Sequence, residues 1–423
     1  MEKRVNGILQ GVVTPPPSKS QAHRLLICAA LGTSPCMLSC SSVNDDIMAT
    51  MHSLNMLGAD IKYSNGVFTV IPVNRQKGGT LNCGESGSTL RFMVPIAAAL
   101  GADATFVGGG KLPTRPMGNL CSALEAHGIT ICKHTEGLEL PLTCKGQLTG
   151  GSYTLPGNIS SQYLTGLLFA LPLVGCDSEI EVTDGLTSAS YIDMTIDALN
   201  LSGINIEKQG NIYKVPGNVT YSLPSNLAVE GDWSSAAFWV VAGVIGKRPV
   251  IIKGMNPDSL QGDRRIIDSL RSMGAFIKVS SNEIVAMPSQ LFGTEIDCAD
   301  TPDLVPILSI AAAVAQGETR FINVGRLRFK ESDRLAAMKS VLAAFGIDSI
   351  VGEDTFIVVG GRPVAQATVD SFGDHRIAMS AAIISTVADG VTTILGAECV
   401  AKSYPSFFED FAALGGDVFN VER

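Results

Sequence analysis

The sequence predicts a mixed α/β (α+β) protein of two lobes, each built from three copies of one repeated unit. Three observations predict it: two interleaved series of glycine-closed stretches share one period, the two series differ in polarity, and short alternating runs separate them.

The first series consists of apolar stretches that end in glycine: Arg24 to Gly32, Leu90 to Gly101, Tyr163 to Gly175, Ala236 to Gly246, Leu304 to Gly317 and Ile377 to Gly390. Their closing glycines lie 69 to 74 residues apart. These stretches are apolar nearly all round, as in Ala236-Ala-Phe-Trp-Val-Val-Ala-Gly-Val-Ile, which predicts wholly interior helices. The second series is an amphipathic stretch, a glycine and a β-branched run, with glycines at Gly58, Gly128, Gly203, Gly274, Gly346 and Gly415, 69 to 75 residues apart. Apolar residues recur there at helical spacing, as in Ile47, Met51, Leu54 or Ile266, Leu270, Met273, so these helices bury one face and close on a left-handed glycine cap. Alternating runs such as Ile180-Glu-Val and Thr319-Arg-Phe-Ile-Asn-Val supply strands. Each unit then reads strand, buried helix, strand, amphipathic helix, strands. Six units divide into two lobes of three, with Ser222-Leu-Pro-Ser-Asn-Leu between the third and fourth. A solenoid without chemistry is the bland alternative, but solenoid units run about 20 to 50 residues, shorter than these.

Composition narrows the class. With 46% hydrophobic and 17% charged residues over 423 positions the chain is globular, and its 44 glycines follow no collagen-like period. A formal charge of -9 argues against a nucleic-acid partner, which would call for a basic surface. The longest apolar runs, Tyr163 to Val174 and Trp233 to Ile245, fall short of the roughly 18 to 20 residues of a membrane span. No apolar segment follows the basic residues of the N-terminus, so a cytoplasmic protein with no membrane partner is expected. The ten cysteines include no C-x-x-C pair and are expected to be reduced, mostly buried small hydrophobes. The histidines His23, His52, His127, His134 and His375 form no ligand-like cluster, so no metal is expected.

An interior helix offers free N–H groups only at its start, where the helix dipole favours an anion. The starts here read Ser18-Lys-Ser-Gln-Ala-His-Arg24, Glu85-Ser-Gly-Ser-Thr-Leu-Arg91, Ser160-Ser-Gln162, Asp232-Trp-Ser-Ser235, Pro302-Asp303 and Asp374-His-Arg376. Serine and aspartate are ordinary N-caps worth about 0.5 to 2 kcal/mol, and Asp232 and Ser234 are read so. Lys19, Arg24 and Arg376 are different, because a cation opposes the dipole unless a phosphate or carboxylate neutralises it. Further basic clusters precede the amphipathic helices: Lys111-Leu-Pro-Thr-Arg-Pro116, Arg264-Arg265, Arg326-Leu-Arg-Phe-Lys-Glu-Ser-Asp-Arg334 and Ala401-Lys-Ser-Tyr-Pro405. Arg264-Arg265 is read as a solvated face.

Together the segments Pro17-Ser-Lys-Ser-x-x-x-Arg24, Gly84-x-x-Gly-x-x-x-Arg91, Arg115-Pro-Met-Gly118, Ser160-Ser-Gln162, Tyr191-Ile-Asp193, Lys330-Glu-Ser-Asp-Arg334, Gly373-Asp-His-Arg376 and Ala401-Lys402 closely resemble the enolpyruvyl transferases, over essentially the whole chain. Within that family they resemble the branch whose acceptor is shikimate 3-phosphate. The resemblance implies two lobes of three βαβαββ units, with the chain start crossing into the second: residues 18–229, and residues 1–17 plus 230–423. It implies lobes that close on substrate, no cofactor and a monomer. The implied reaction moves the enolpyruvyl group of phosphoenolpyruvate to the 5-hydroxyl of shikimate 3-phosphate, releasing phosphate by addition and elimination. By resemblance, Lys19, Ser20, Arg24, Ser160, Ser161, Gln162, Ser188, Asp303, Arg326 and Lys330 hold shikimate 3-phosphate. Lys19, Gly87, Arg115, Gln162, Arg334, Arg376 and Lys402 hold phosphoenolpyruvate. The resemblance makes Asp303 the base, Glu331 and Lys19 the candidates for proton delivery, and His375 a member of the catalytic set.

Two positions depart from the family pattern, since asparagine is usual at Glu85 and frequent at Arg326. The family's other branch transfers enolpyruvyl to a UDP-amino sugar and carries a catalytic cysteine five residues before the loop arginine, where this chain has Gly110. A non-catalytic lobe pair would be expected to lose Lys19, Asp303, Glu331 or Arg376, and all four are present.

Overall fold

The computed structural model describes residues 1–281 and 283–421. Cα proximity divides the chain into two compact units: an N-terminal unit, Pro17–Val229, and a C-terminal unit made of Met1–Pro16 and the chain from Glu230 onward.

Twelve helices alternate in character among the described residues. The odd-numbered ones are α1 (Lys19–Ala30), α3 (Gly87–Leu100), α5 (Ser161–Ala170), α7 (Trp233–Ile245), α9 (Val305–Val314) and α11 (His375–Ile384). The even-numbered ones are α2 (Asp45–Met56), α4 (Gly118–Glu125), α6 (Ala189–Leu201), α8 (Ile266–Ser272), α10 (Arg334–Ala344) and α12 (Phe407–Ala413). The odd helices are buried on nearly every side, as their all-round apolar sequences require. The even helices bury one face, and the glycine that closes each adopts a positive φ, as the second glycine series predicts.

The strands form six four-stranded sheets of one topology. In the second unit, Gly79–Asn82 runs parallel to Ala104–Val107, which pairs antiparallel with Leu142–Gly146, which pairs antiparallel with Ile129–Lys133. With α3 and α4 inserted this is βαβαββ. Three units borrow strands from distant chain. Asn226–Ala228 supplies the first strand of the first sheet, beside Cys36–Ser39. Glu2–Gly7 enters the sixth sheet between Thr392–Leu395 and Gly416–Val421, and Gly11–Val13 lies parallel to Val250–Lys253 in the fourth. Each compact unit has its own continuous apolar core. In the C-terminal unit α7, α9 and α11 pack against one another, and Arg376 at the start of α11 reaches Asp303 just ahead of α9.

Most of the interior helices start two to five residues before their apolar stretches, because their first turns are polar. Arg24 therefore lies in the second turn of α1, away from the free N–H groups, and the dipole argument does not apply to it. Arg264 and Arg265 are solvent-exposed, as expected of a solvated face. Seven of the ten cysteines are buried and all ten are free, whereas Cys132 and Cys176 are exposed. No helix among the described residues is long and apolar enough to cross a membrane.

Candidate active site

In the N-terminal unit, three capped helix starts carry the predicted residues. Ser18 caps α1 and Lys19 is its first residue, with its ammonium 2.9 Å from Asp46 in the first turn of α2. A line of buried hydrogen bonds then joins α1 to α3: His23 Nδ1 and Thr50 Oγ1 at 2.7 Å, Thr50 and Thr89 hydroxyls at 2.7 Å, Thr89 to the Ser86 cap at 2.8 Å. Burial drives the His23 imidazole down to about 3 and keeps it neutral, and the charges of Lys19 and Arg24 add to the effect.

Gly87 opens α3 directly beneath Arg115: a Cβ at residue 87 would lie 2.8 to 3.0 Å from the guanidinium. Gln162, capped by Ser160 at the start of α5, accepts from Arg91 at 2.6 Å and donates to Ser88 at 2.8 Å. Arg91 also donates to the Pro116 carbonyl at 2.9 Å, as does the Tyr163 hydroxyl at 2.6 Å, which fixes the loop that carries Arg115. The structure thus brings Gly87, Arg115 and Gln162 together through Arg91, a buried arginine the sequence reading left without a role.

Arg24 is already engaged: it donates to Thr195 at 2.9 Å, to the Ser20 carbonyl at 2.6 Å and to the Tyr191 carbonyl at 2.8 Å. Burial lowers its guanidinium to about 10. It locks α1 to α6 and holds Ser20. Ser188, the cap residue of α6, is buried with a left-handed φ of 58°, a costly conformation for a residue with a Cβ and a recurrent mark of functional sites.

In the C-terminal unit the predicted residues converge on one buried guanidinium. Arg334 opens α10 and meets three carboxylates: Asp303 at 2.7 Å, Glu331 at 2.8 Å and Asp374 at 2.8 Å. Burial works against its charge, but Asp374, Glu331 and Asp303 outweigh that cost and hold the proton more tightly than in water. Asp303 sits in the Pro302–Leu304 turn ahead of α9 and also meets Arg376 at 3.2 Å and Lys330 at 3.3 Å. Burial pushes the Lys330 ammonium down, against the pull of Asp303. Lys402 approaches Glu331 at 4.0 Å. Asp374, fully buried, caps α11 by accepting the Arg376 N–H at 3.0 Å, takes the Ser332 hydroxyl at 3.1 Å and lies 3.8 Å from His375 Nδ1. Arg326 donates to the Ala299 carbonyl and so anchors the turn before Lys330.

Sequence alone marks Asp374 only as a cap residue and gives Asp46 and Asp263 no role. A cap and an ion-pair partner look alike until the fold shows what faces them. Ser234 is a departure: Asp232 caps α7 as expected, accepting from the Ser235 N–H at 2.6 Å, but the Ser234 hydroxyl goes to Asp263. Glu85 lies over Gly110, where a Cβ would fall within 2.7 Å of its carboxylate carbon and both oxygens, and the Gly110 φ is 55°. A cysteine at residue 110 would meet both obstacles. No group of three or more metal-ligating side chains occurs among the described residues.

Known proteins share this architecture and sequence. The solved EPSP synthase of Acinetobacter baumannii superimposes with a TM-score of 0.83 at 27% identity, over 99% of this chain and 100% of that one. The enolpyruvyl transferase NikO of Streptomyces tendae shares the fold, with a TM-score of 0.78 over 99% of this chain and 98% of that one, at 19% identity. Proteins named 3-phosphoshikimate 1-carboxyvinyltransferase from Clostridium kluyveri and Clostridium acetobutylicum are 43% and 41% identical, each aligned over 97% of this chain and 96% of the relative. The profile of one family matches residues 4–411. By that match, and by identity along nearly its full length, the chain belongs to the EPSP synthase (3-phosphoshikimate 1-carboxyvinyltransferase) family.

Proposed function

We propose that this enzyme transfers the enolpyruvyl group of phosphoenolpyruvate to the 5-hydroxyl of shikimate 3-phosphate, releasing phosphate, a step toward chorismate and the aromatic amino acids. The observation that carries this reading is the C-terminal constellation, in which Asp303 and Glu331 share the cations Lys330, Arg334, Arg376 and Lys402. Both substrates are anions, and a dry cluster of cations stabilises charge that builds up in the transition state.

In the addition step Asp303 takes the proton of the 5-hydroxyl as its oxygen bonds to C2 of phosphoenolpyruvate. Glu331 or Lys19 gives a proton to the methylene C3, forming a tetrahedral phosphate ketal. In the elimination step a proton leaves the new methyl group, the double bond re-forms and the C2–O bond to phosphate breaks. No electron is transferred overall, so the chemistry calls for no redox cofactor, and the side-chain cations supply the electrostatic work a metal would otherwise do.

Lys19, Gly87, Arg115, Gln162, Arg334, Arg376 and Lys402 take phosphoenolpyruvate. Gly87 gives the Arg115 guanidinium its room, and Gln162 is held by Arg91. Lys19, Ser20, Arg24, Ser160, Ser161, Gln162, Ser188, Asp303, Arg326 and Lys330 take shikimate 3-phosphate. Arg24 does so mainly by fixing Ser20 and α6, since its donors are largely committed to the protein. His375, beside Asp374 at the start of α11, completes the catalytic set. The enzyme acts in the cytoplasm as a monomer on these two small molecules. Glu85 lying over Gly110 disfavours the UDP-amino sugar branch, which needs a side chain there.

The test is phosphate release from phosphoenolpyruvate with each acceptor in turn. Release with shikimate 3-phosphate and not with the UDP-amino sugar is expected. No release with shikimate 3-phosphate sinks the assignment.

A further inference from the structure

Asp263 is a buried carboxyl that the proposed chemistry does not use. It lies in the turn Gly262–Arg265, which packs on α7, and α7 also touches the Pro302–Leu304 turn that carries Asp303 and the helix α11 that carries Arg376. The Ser234 hydroxyl, in the first turn of α7, donates to Asp263 Oδ2. The turn is pinned in place: Gln261 accepts the Trp233 N–H at 3.0 Å and donates to Glu230 at 2.9 Å.

The charges that act on Asp263 are Arg376 from α11, Asp303 from the turn before α9 and Asp232 from the start of α7. Its own neighbours Arg264 and Arg265 turn away, to the Pro257 carbonyl at 2.6 Å and to Asp300 at 3.0 Å. Arg376 pairs with Asp303 at 3.2 Å. Asp263 is therefore a buried acid hydrogen-bonded by a neutral hydroxyl, an arrangement that costs stability and that an asparagine would satisfy equally well.

We infer, on the footing of the reaction proposed above, that Asp263 is a positioning residue: when ionised it draws on the charge of Arg376, so that Asp303 accepts a proton more readily and the incoming phosphoenolpyruvate is held less tightly. Burial raises the Asp263 carboxyl to about 6, Arg376 opposing and Asp303 adding to the rise, so the group is neutral in mild acid and charged at neutral pH and above. The sign follows. Above neutrality the acid raises kcat and raises KM for phosphoenolpyruvate together, and in mild acid it does neither.

The experiment compares wild type with Asp263→Asn from pH 5.5 to 8.5, measuring kcat and KM for phosphoenolpyruvate at saturating shikimate 3-phosphate. Asp263→Asn is expected to lower kcat roughly three- to tenfold above pH 7 and to lower KM for phosphoenolpyruvate several-fold, with the two enzymes converging toward pH 5.5. Ser234→Ala, which removes the hydrogen bond favouring the charged form, is expected to move the same transition to higher pH. A variant damaged only in its fold would lose activity alike at every pH. Equal loss at every pH, or no change in either variant while wild type turns over, overturns the inference alone. Wild type that makes no phosphate overturns the reaction on which it stands.

Discussion

Replacing Gly87 by alanine separates substrate recognition from stability. Gly87 opens α3, and its φ is not in the left-handed region, so alanine fits the backbone and gains about 0.5–1 kcal/mol of helix propensity. The new Cβ would stand 2.8 Å from Arg115 Nη1, 2.9 Å from Cζ and 3.0 Å from Nη2. Ordinary carbon contacts begin near 3.5 Å, so the guanidinium has to retreat by roughly half an ångström or more. A charge-assisted hydrogen bond contributes about 1.5–3 kcal/mol, and losing its alignment weakens phosphoenolpyruvate about 10- to 150-fold. Steady-state kinetics with each substrate varied in turn is the assay, with a melting curve alongside. KM for phosphoenolpyruvate should rise by one to two orders of magnitude, KM for shikimate 3-phosphate should stay within a few-fold, and the melting temperature should not fall. A change in KM for phosphoenolpyruvate below twofold, or an equal rise in both constants, refutes the placement of Arg115 on that substrate.

Three further outcomes are expected. Asp303→Asn should cut kcat by about 10²- to 10⁴-fold while calorimetry still detects shikimate 3-phosphate binding; near-normal turnover removes Asp303 from the base role. Asp374→Asn keeps an acceptor for the α11 cap but takes one charge from Arg334. It should cost about 2–4 kcal/mol and lower the melting temperature by roughly 5–15 °C, and a shift under 1 °C refutes the clamp. His23 governs acid stability: burial depresses its pKa from 6.5 to about 3, so below pH 6.5 the unfolded chain takes a proton that the folded chain refuses. Its contribution is complete above pH 6.5 and is lost as pH falls toward 3, amounting to up to about 5 kcal/mol. Urea unfolding of His23→Gln should show a shallower acid dependence than wild type, and identical slopes would count against a neutral buried histidine.

The repeat was legible because two glycine series of one period can arise only from a structural unit used six times, and the polarity of each series separates interior helices from half-buried ones. What the period could not reveal is the traffic of strands. Glu2–Gly7 and Asn226–Ala228 complete sheets begun far away in the chain, and pairing register between distant segments leaves no local signature. The residues at helix starts were legible as a group, but their partners were not. Asp46 reads as an ordinary acid in the first turn of α2, Asp374 as an ordinary cap and Arg91 as an ordinary helix residue. Each takes on its place only when the fold brings Lys19, Arg334 or Gln162 against it.

At a helix start Lys19, Arg24 and Arg376 read as cations in need of an anion, and the structure changes what that anion is. Lys19 meets Asp46, Arg376 meets Asp303, and Arg24 lies a turn deeper and meets carbonyl and hydroxyl oxygens. The protein thus supplies part of the neutralising charge itself, which lets a stable core coexist with a site built for anions. The same pairing bears on catalysis. Under the proposed reaction, Asp303 starts out held by Lys330, Arg334 and Arg376. On that reading, arriving phosphate and carboxylate groups compete for those cations and loosen their hold on Asp303, leaving its carboxylate to face the hydroxyl. On this account the cations do two things in sequence: they hold Asp303 in place before the substrates arrive, and they hold the substrates afterwards. An Arg334→Lys variant, with one donor centre in place of a fork, would keep the first and lose the geometry of the second, and its KM for phosphoenolpyruvate should rise more than its kcat falls.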